Sequence, residues 1–246
     1  MDELKKFWHN KNVLVTGHTG FKGSWLSIWL KHLGSSVYGF SHDLEVSKPN
    51  LFSLIDNPAN CDLIGDINDS KKLSKFIKDI SPEVIFHLAA QPLVRDSYLF
   101  PVETFKTNII GTINLLDILR EIDTVKSIIV VTSDKCYLNN ENGIPFNEDD
   151  PLGGFDPYSS SKACAEHVSK AYYESFFKEM NVGVATVRAG NIIGGGDWAK
   201  DRIVPDCIRA WSKNEIVEIR SPKATRPWQH VLEPLSGYLA LGQQLY

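Results

Sequence analysis

Short runs of apolar residues alternate along this chain with longer segments whose apolar positions recur at helical spacing. The runs at 84–90 and 127–133 are almost wholly apolar, which is typical of strands in a parallel sheet covered by helices on both faces. The pattern predicts strands at 12–17, 36–40, 62–66, 84–90, 127–133 and 183–190, and helices at 23–34, 69–80, 102–122, 158–180 and 232–246. It therefore predicts an α/β fold with a doubly wound parallel sheet.

The regular alternation weakens after residue 190. Residues 191–230 are rich in Gly, Asp, Arg, Trp and Pro, a composition typical of loops rather than of a layered sheet. We expect residues 1–190 to form the sheet domain, and residues 191–246 to form part of a smaller substrate-binding region that is interleaved with it. The chain ends within the last predicted helix, so we expect this second region to be truncated.

Composition and charge exclude several classes of protein. The net charge is -4 and no run of Lys or Arg is present, so a nucleic-acid partner is not expected. No apolar stretch is long enough to span a membrane, and the charged N-terminus does not resemble a secretory signal. The four cysteines form no CxxC pair and no metal-ligand spacing, which predicts reduced thiols, a cytoplasmic location and no metal site.

A glycine recurs at every third position directly after the first predicted strand. At these positions a first glycine permits a tight turn, a second lets a pyrophosphate approach the backbone, and a third lets the helix pack against the strand. The following helix would then present free N–H groups to the phosphates. The loop predicts dinucleotide binding on a Rossmann-type sheet, through Gly17, His18, Thr19, Gly20, Phe21, Lys22 and Gly23.

Residues after the later strands indicate which dinucleotide is bound. Asp43 is the acid nearest to the end of the second strand, where an acid holds the ribose hydroxyls of NAD. No arginine follows that would favour a 2′-phosphate, so NAD is expected rather than NADP. We expect Asp66 and Ile67 to lie near the adenine. The small residues Ala89 and Ala90, with Gln91, would let the cofactor pass the fourth strand.

A tyrosine and a lysine lie four residues apart at the start of a predicted helix. This spacing places Tyr158 and Lys162 on one helix face. A nearby ammonium favours the phenolate and lowers the pKa of a tyrosine, so we expect Tyr158 to act as a base near neutral pH.

Together, the glycine loop and the Tyr158/Lys162 pair resemble the extended short-chain dehydrogenase/reductase superfamily. Within it, Asp134-Lys135 directly after Ser133 is similar to the acid/base pair of nucleotide-sugar 4,6-dehydratases, and Asp-Lys rather than Asp-Glu resembles the enzymes that act on CDP-glucose. Further stretches resemble the same family, namely 17–25, 188–191, 194–199 and 224–231.

The resemblance implies a set of catalytic roles. Tyr158 would take the proton of the sugar 4-hydroxyl while hydride passes to NAD, and Lys162 would keep Tyr158 ionised and hold the nicotinamide ribose. Ser133, with Thr132 as the alternative, would hydrogen-bond the developing oxygen. Lys135 would remove the C5 proton and Asp134 would protonate the departing C6 hydroxyl. The hydride then returns to C6, so NAD is recycled. These roles require a lowered pKa for Lys135 and a raised one for Asp134.

The resemblance also implies a CDP-glucose substrate, a role in deoxysugar and lipopolysaccharide O-antigen synthesis, and a homo-oligomer, either a dimer or a dimer of dimers. Arginines match phosphate oxygens, and the other candidates follow strands or lie in loops. The candidate substrate contacts are Arg95, Asn191, Arg202, Arg226 and His230.

Two alternatives differ in class from a dehydratase. One is a 4-epimerase or reductase of the same superfamily, which would not need the Asp134-Lys135 pair. The other is a regulatory protein that binds NAD without catalysis, which would not need Tyr158 and Lys162.

Overall fold

The computed structural model describes residues 2–42, 48–141 and 143–246. Within these ranges the strands are β1 Asn12–Thr16, β2 Ser36–Ser41, β3 Cys61–Ile64, β4 Val84–His87, β5 Ser127–Val131, β6 Gly183–Val187, β7 Asn191–Ile193 and β8 Trp228–His230. The α-helices are α1 Asp2–Trp8, α2 Phe21–His32, α3 Ser70–Ile80, α4 Val94–Leu99, α5 Pro101–Phe105, α6 Gly111–Leu119, α7 Pro157–Tyr172, α8 Ile203–Ser212 and α9 Leu232–Leu245.

Six of these strands form one parallel sheet in the order β3-β2-β1-β4-β5-β6. The strand order reverses between β1 and β4, which is the position where doubly wound sheets bind ligands, outside the carboxyl ends of the strands. The remaining strands, β7 and β8, form a separate parallel pair. The predicted α/β fold with a Rossmann-type sheet is confirmed.

Two hydrophobic cores cover the two faces of the sheet. Helices α3 and α6 pack on one face around Leu14, Ile85 and Ile128. Helices α1, α2 and α9 pack on the other face around Val15, Phe86 and other fully buried residues. Burial on both faces explains why these strands contain almost no polar residues.

The predicted helices at 102–122 and 158–180 are each interrupted by a wider turn. A π-helical segment, Lys106–Ile110, joins α5 to α6, and another, Tyr173–Phe177, follows α7. Such segments insert a residue into an otherwise helical pattern and often occur at functional sites. Sequence periodicity does not detect them because the apolar stripe continues across the insertion.

Helices α1, α4 and α8 and the β7/β8 pair were not predicted from the sequence. Helices α1 and α4 and the two strands are too short to establish a period. In α8, however, Ile203, Cys207 and Trp211 recur at helical spacing, and this signal was overlooked. The long predicted strands also end earlier in the structure, for example at His87 rather than at residue 90. The extra residues leave the sheet and form the loops that surround the site.

Helix α9 packs against the sheet although it follows the irregular region. Its Leu235, Tyr238 and Leu239 are buried beside Val13 and Ile129. Residues 232–245 therefore complete the second core of the sheet domain, while residues 191–230 lie outside the six-stranded sheet. Within the described ranges, no helix combines the length and the apolar character needed to cross a lipid bilayer.

Truncation of one buried side chain tests the contribution of α9 to the fold. Leu239→Ala should lower the free energy of unfolding by about 2–5 kcal/mol, because the fully buried leucine leaves a cavity in the core of the sheet domain. Urea denaturation followed by circular dichroism measures this loss. The exposed Gln244→Ala on the same helix serves as the control and should change stability by less than about 0.5 kcal/mol. Equal effects of the two substitutions would show that α9 is not part of the core.

Candidate active site

The glycine loop adopts the backbone that its spacing predicts. Gly17 has φ +73°, a conformation that side chains disfavour, and a Cβ there would lie 2.8 Å from the backbone nitrogen of Ala89. A Cβ on Gly23 would overlap the carbonyl oxygen of Gly17, so strand and helix meet only because this residue has no side chain. Around Gly20 the nearest atom to an added Cβ is 3.3 Å away, so this glycine faces more open space.

Helix α2 begins directly after this loop. Its N-cap, Gly20, provides no side-chain hydrogen bond to the first turn, so the first amides of the helix point outward without a capping group. The helix dipole adds a partial positive charge at the same end. The glycine cradle and the free amides together fit a pyrophosphate.

His18 lies behind the loop. Its ring is fully buried, contacts Phe52 edge-on, and has Nε2 3.3 Å from Oδ2 of Asp62. A Cβ on Gly39 would come within 2.6 Å of the ring, so strand β2 has no side chain at that position. Burial lowers the pKa of His18, against the opposing charge of Asp62. The histidine supports the loop from the sheet side.

The other predicted cofactor contacts lie at the same edge of the sheet. Ala89 donates its N–H to Oγ1 of Thr16 at 3.2 Å. The side chain of Gln91 hydrogen-bonds the backbone of Leu93 in its own loop and Oγ1 of Thr104 on α5. The side chain of Ile67 is buried in the core.

The remaining loop residues lie towards the β2 and β3 ends of the sheet. Thr19 is held to the end of β2 by Oγ of Ser41, 3.2 Å from its N–H. Asp66 is exposed and accepts hydrogen bonds from Asn68. Asp43 lies outside the described residues.

Tyr158 is placed in the first turn of α7. Asp156 caps this helix by accepting the N–H of Ser159 at 3.0 Å, and Pro157 occupies the first helical position. The phenol is buried, and Ser133 lies close enough to oppose the rise in its pKa. The structure therefore brings Tyr158 and Ser133 together, as expected.

The pKa of Tyr158 differs from the sequence-based expectation. Burial raises it, the Asp134 carboxylate adds to this, and the Ser133 hydroxyl and the charge of Arg202 oppose it. The prediction that Lys162 lowers this pKa is wrong for this geometry. The Lys162 ammonium donates instead to the carbonyl oxygen of Val131 at 3.1 Å, and burial lowers its own pKa to about 8.

The Asp134-Lys135 pair lies in a 3₁₀ turn, Asp134–Cys136, directly after β5. Ser133 caps this turn: its Oγ accepts the N–H of Lys135 at 3.2 Å and donates to Oδ1 of Asp134 at 3.1 Å. Both side chains are half-buried. The expected acid/base pair therefore shares a turn with the serine that contacts Tyr158.

Lys22 brings an additional charge to this site. It lies in the first turn of α2, and burial together with the charges of Lys162 and Arg202 lowers its pKa to about 7, against the opposing charge of Asp134. The glycine loop is therefore adjacent to the catalytic residues through this lysine. The sequence predicted only cofactor binding for Lys22, not its electrostatic influence on the catalytic residues.

The five predicted substrate contacts are not all brought together. Arg202 lies close enough to influence both Lys22 and Tyr158, and it is paired with Asp197. Arg95 is exposed and forms an ion pair with Asp201 at 2.7 Å.

The other three lie in the β7/β8 region. Asn191 begins β7 and donates its N–H to the carbonyl of Pro227 at 3.0 Å. Arg226 and His230 are exposed near and on β8, and the Arg226 guanidinium bonds only the neighbouring carbonyl of Thr225 among its described contacts.

Two buried polar residues at the site were missed. Asn108, in the π-helical segment, binds both backbone groups of Gln91 and donates to Oγ of Ser161 at 2.8 Å. Glu166 follows Lys162 by one helical turn and is also buried. A carboxylate four residues after the lysine, on the same helix face, was the available signal. Among the residues that the structure describes, no group of three His, Cys, Asp or Glu side chains is arranged to hold a metal.

The sheet, the glycine loop and the buried Tyr158/Lys162 pair define an extended short-chain dehydrogenase/reductase. The family model described as GDP-mannose 4,6 dehydratase matches residues 14–245. The chain therefore belongs to this family of nucleotide-sugar dehydratases and related enzymes.

Individual relatives agree with this assignment. The CDP-glucose 4,6-dehydratase of Salmonella typhimurium is 52% identical over 98% of this chain and 69% of its own length. A dTDP-glucose 4,6-dehydratase from Bacillus anthracis, solved in complex with NAD, superposes with a TM-score of 0.79 at 25% identity, over 94% of this chain and 71% of that one. An epimerase from Methanothermobacter thermautotrophicus gives a TM-score of 0.86 at 25% identity, over 98% and 70%.

Replacement of Lys22 by methionine tests its lowered pKa. The unfolded chain keeps the ordinary lysine pKa of 10.5 and binds more protons than the folded protein above about pH 7. Wild-type stability should therefore rise from pH 7 to pH 9 relative to Lys22→Met, by about 1 kcal/mol per pH unit. Urea denaturation at pH 7, 8 and 9 measures the difference. Lys31→Met, at an exposed position on the same helix, should give a stability difference from wild type that does not change with pH. A pH-independent difference for Lys22→Met would refute the lowered pKa of Lys22.

Proposed function

We propose that this protein is a CDP-glucose 4,6-dehydratase that converts CDP-glucose to CDP-4-dehydro-6-deoxy-glucose and water. The observation that carries this proposal is the Asp134-Lys135 turn, held by Ser133 next to Tyr158. An acid/base pair beside a tyrosine would suit oxidation of a hydroxyl followed by elimination of water, which supports this proposal. The 52% identity to the Salmonella enzyme supports the choice of substrate.

The residues present fit NAD as the cofactor. The glycine cradle at Gly17 and Gly20 and the uncapped start of α2 suit its pyrophosphate. The solved Bacillus anthracis relative is an NAD complex. When bound, NAD supplies an acceptor for the C4 hydride and returns it to C6, so there is no net oxidation. We assign Asp43 to the adenosine ribose, Asp66 and Ile67 to the adenine, and the backbone of 89–91 to the passage of the cofactor.

Tyr158 acts as the base for the sugar 4-hydroxyl. Ser133 lies beside it, so the substrate hydroxyl would meet both oxygens. Ser133 then hydrogen-bonds the oxygen as the C4 carbonyl forms. Lys162, fixed by the carbonyl of Val131, keeps a positive charge beside the tyrosine and binds the nicotinamide ribose.

Elimination of water uses the 3₁₀ turn. The C4 carbonyl acidifies the proton on C5, and Lys135 removes it. Asp134 transfers a proton to the C6 hydroxyl, which leaves as water. Lys135 later returns its proton to C5 while the hydride arrives at C6. This gives a 6-deoxy product that keeps the C4 carbonyl, and the proton taken by Tyr158 balances the one lost from Asp134.

Arg202 is the best placed of the proposed substrate contacts. It lies within electrostatic reach of Lys22 and Tyr158, and its guanidinium suits a diphosphate. Arg95, Asn191, Arg226 and His230 are the other contacts that we propose for the sugar nucleotide. We further propose a place in deoxysugar synthesis for lipopolysaccharide O-antigen, in the cytoplasm, where the four free thiols stay reduced.

A 4-epimerase or reductase is the first alternative, and epimerases share this fold. Those reactions need the tyrosine and lysine but no elimination, so the half-buried Asp134-Lys135 turn favours dehydration. A regulatory protein that binds NAD without catalysis does not need Ser133 beside Tyr158, so this pair favours an enzyme.

Turnover tests the proposed function directly. The protein with NAD should convert CDP-glucose to a 4-keto-6-deoxy product, identified by mass spectrometry, without accumulation of NADH at 340 nm. It should act more slowly on dTDP-glucose and GDP-mannose. A product that retains the C6 hydroxyl would support the epimerase alternative, whereas NAD binding without turnover of any sugar nucleotide would support the regulatory one.

Replacement of Lys135, the proposed base for the C5 proton, tests the elimination step separately from hydride transfer. Lys135→Ala should lower the rate of dehydration about 10²–10⁴-fold, because positioned proton transfer contributes that much. Exchange of the C5 proton with deuterated solvent, read by NMR, should fall in parallel. Lys78→Ala, at an exposed lysine on α3, is the matched control and should be fully active. A Lys135→Ala variant with near-normal dehydration would contradict the assignment of the base.

We also propose a homodimer, or a dimer of dimers, formed through the helices that carry the π segments. Their outer face exposes Val102, Phe105, Ile110 and Phe176, and an exposed apolar stripe of this kind marks an interaction surface. The equivalent helices of the superfamily pair in this way.

A charge placed in this stripe tests the interface. Ile110→Glu should shift the protein to a smaller assembly in sedimentation velocity, because an unpaired carboxylate would be buried between subunits. Leu54→Glu introduces the same charge at an exposed leucine elsewhere and should leave the assembly unchanged. A wild-type protein that sediments as a monomer would refute the proposed interface.

A further inference from the structure

We infer that Glu166 is a positioning residue for the dehydration reaction: it fixes the end of β5 that carries Ser133 to the helix that carries Tyr158 and Lys162. This role rests on the proposed function. Glu166 contacts none of the proposed substrate or cofactor positions, so its effect is transmitted through other side chains.

The contacts of Glu166 join three elements. Its carboxylate is buried on α7 and accepts hydrogen bonds from Oγ1 of Thr132, from Oγ1 of Thr186 at 2.7 Å and from Nη2 of Arg188 at 2.7 Å. Thr132 continues β5, and Thr186 lies on β6. One side chain therefore fixes the carboxyl ends of two strands to the helix that carries Tyr158.

The position of Glu166 relative to Lys162 strengthens this constraint. The two residues are one helical turn apart, and Lys162 donates to the carbonyl of Val131 at 3.1 Å. Two consecutive residues, Val131 and Thr132, are thus bound by α7 immediately before Ser133. Because Ser133 caps the turn of Asp134 and Lys135, a shift at Thr132 would displace the whole catalytic turn.

Glu166 also acts on the charge of Lys162. Burial lowers the pKa of Lys162, and the Glu166 carboxylate is the larger of the two groups that oppose this. Although burial disfavours the Glu166 carboxylate, hydrogen bonds from Arg188, Thr132 and Thr186 more than offset it, so its pKa is lowered and it stays ionised.

Tyr158 lies one turn before Lys162 on α7, and burial raises its pKa. The other titratable groups around Lys162 lie on neighbouring elements. Burial raises the pKa of the Cys136 thiol to about 12 and lowers that of His87, on β4, to about 3. Lys22, at the start of α2, has a pKa of about 7. All three are therefore neutral at about pH 8, where Lys162 titrates, while Glu166 remains charged.

Arg188 extends the same network to the loop that follows the catalytic turn. Its Nη1 donates to the hydroxyl of Tyr137 at 3.0 Å and to the carbonyl of Glu148 at 3.1 Å, and its guanidinium lies 4.9 Å from the Tyr137 ring centroid. The residues on both sides of Asp134-Lys135 are therefore connected to Glu166.

The experiment removes the charge and keeps the shape of the side chain. In Glu166→Gln, the alkaline limb of kcat/KM for CDP-glucose should move from about pH 8 to lower pH by about one unit, because an opposite charge near a lysine raises its pKa. The titration of Lys162, read by NMR of ¹³C-labelled lysine and assigned with Lys162→Met, should move in parallel without substrate. Glu166→Asp keeps the charge and should keep the wild-type limb.

Two further variants separate positioning from folding. Glu83→Gln removes a carboxylate that binds Lys11 and Tyr246 at the opposite edge of the sheet. It should lower the stability of the protein without moving the alkaline limb of kcat/KM. Glu166→Gln/Arg188→Met removes both charged partners, which leaves no unpaired buried charge. This double variant should recover stability lost in the single variant and still show the displaced limb.

The results distinguish the inference from the proposed function. A wild-type protein that does not dehydrate any sugar nucleotide refutes the function, but the NMR titration of Lys162 still tests its coupling to Glu166. An unmoved limb and an unmoved Lys162 titration in folded Glu166→Gln would overturn the inference. Loss of the fold in both Gln variants would also overturn it, since Glu166 would then be required for folding as a whole.

Discussion

The parallel alignment of β1, β4, β5 and β6 is the constraint on which the rest of this structure depends. The register pairs Thr16 with His87, His87 with Val130 and Val131 with Val187, so these strands end at nearly the same level. The segments that leave the sheet there are the glycine loop, the 89–91 loop and the Asp134-Lys135 turn. Each is unremarkable by itself, and only their shared edge makes a site. Both hydrophobic cores serve to hold this alignment, including the core that α9 completes.

The site concentrates ionisable side chains in a setting that opposes their charges. Burial brings the pKa of Lys22 to about 7 and that of Lys162 to about 8, while it raises that of Tyr158. Buried charges of this kind persist only when hydrogen bonds and opposite charges offset desolvation. Glu166 provides such an offset for Lys162, and three donors provide it for Glu166. The balance leaves both lysines near their titration points at the pH of a cell, where small changes in the surroundings alter their protonation.

Segments with a strong apolar pattern were predicted well, because burial on both faces of the sheet requires strands that are almost wholly apolar. This holds for β1, β4 and β5 and for the long helices, whereas β3 is partly exposed. The short elements α1, α4, β7 and β8 were missed because so few residues establish no period, and the helical spacing of apolar residues in α8 was overlooked. The direction of the Tyr158 pKa shift was also wrong, because helical spacing shows that Lys162 shares a face with Tyr158 but not that its ammonium bonds the carbonyl of Val131.

The glycine spacing, the Tyr158/Lys162 pair and the Asp134-Lys135 dipeptide were determined by the sequence itself, because each depends on local backbone geometry or on neighbours within one helical turn. The tertiary structure decided which residues meet. It directed the charge of Lys22 towards the catalytic site, paired Arg95 with Asp201, and buried Glu166 against two strand ends. These outcomes depend on the packing of α7 and the loops over the sheet, and the energy of a buried charge is set by all the groups around it rather than by its neighbours along the chain.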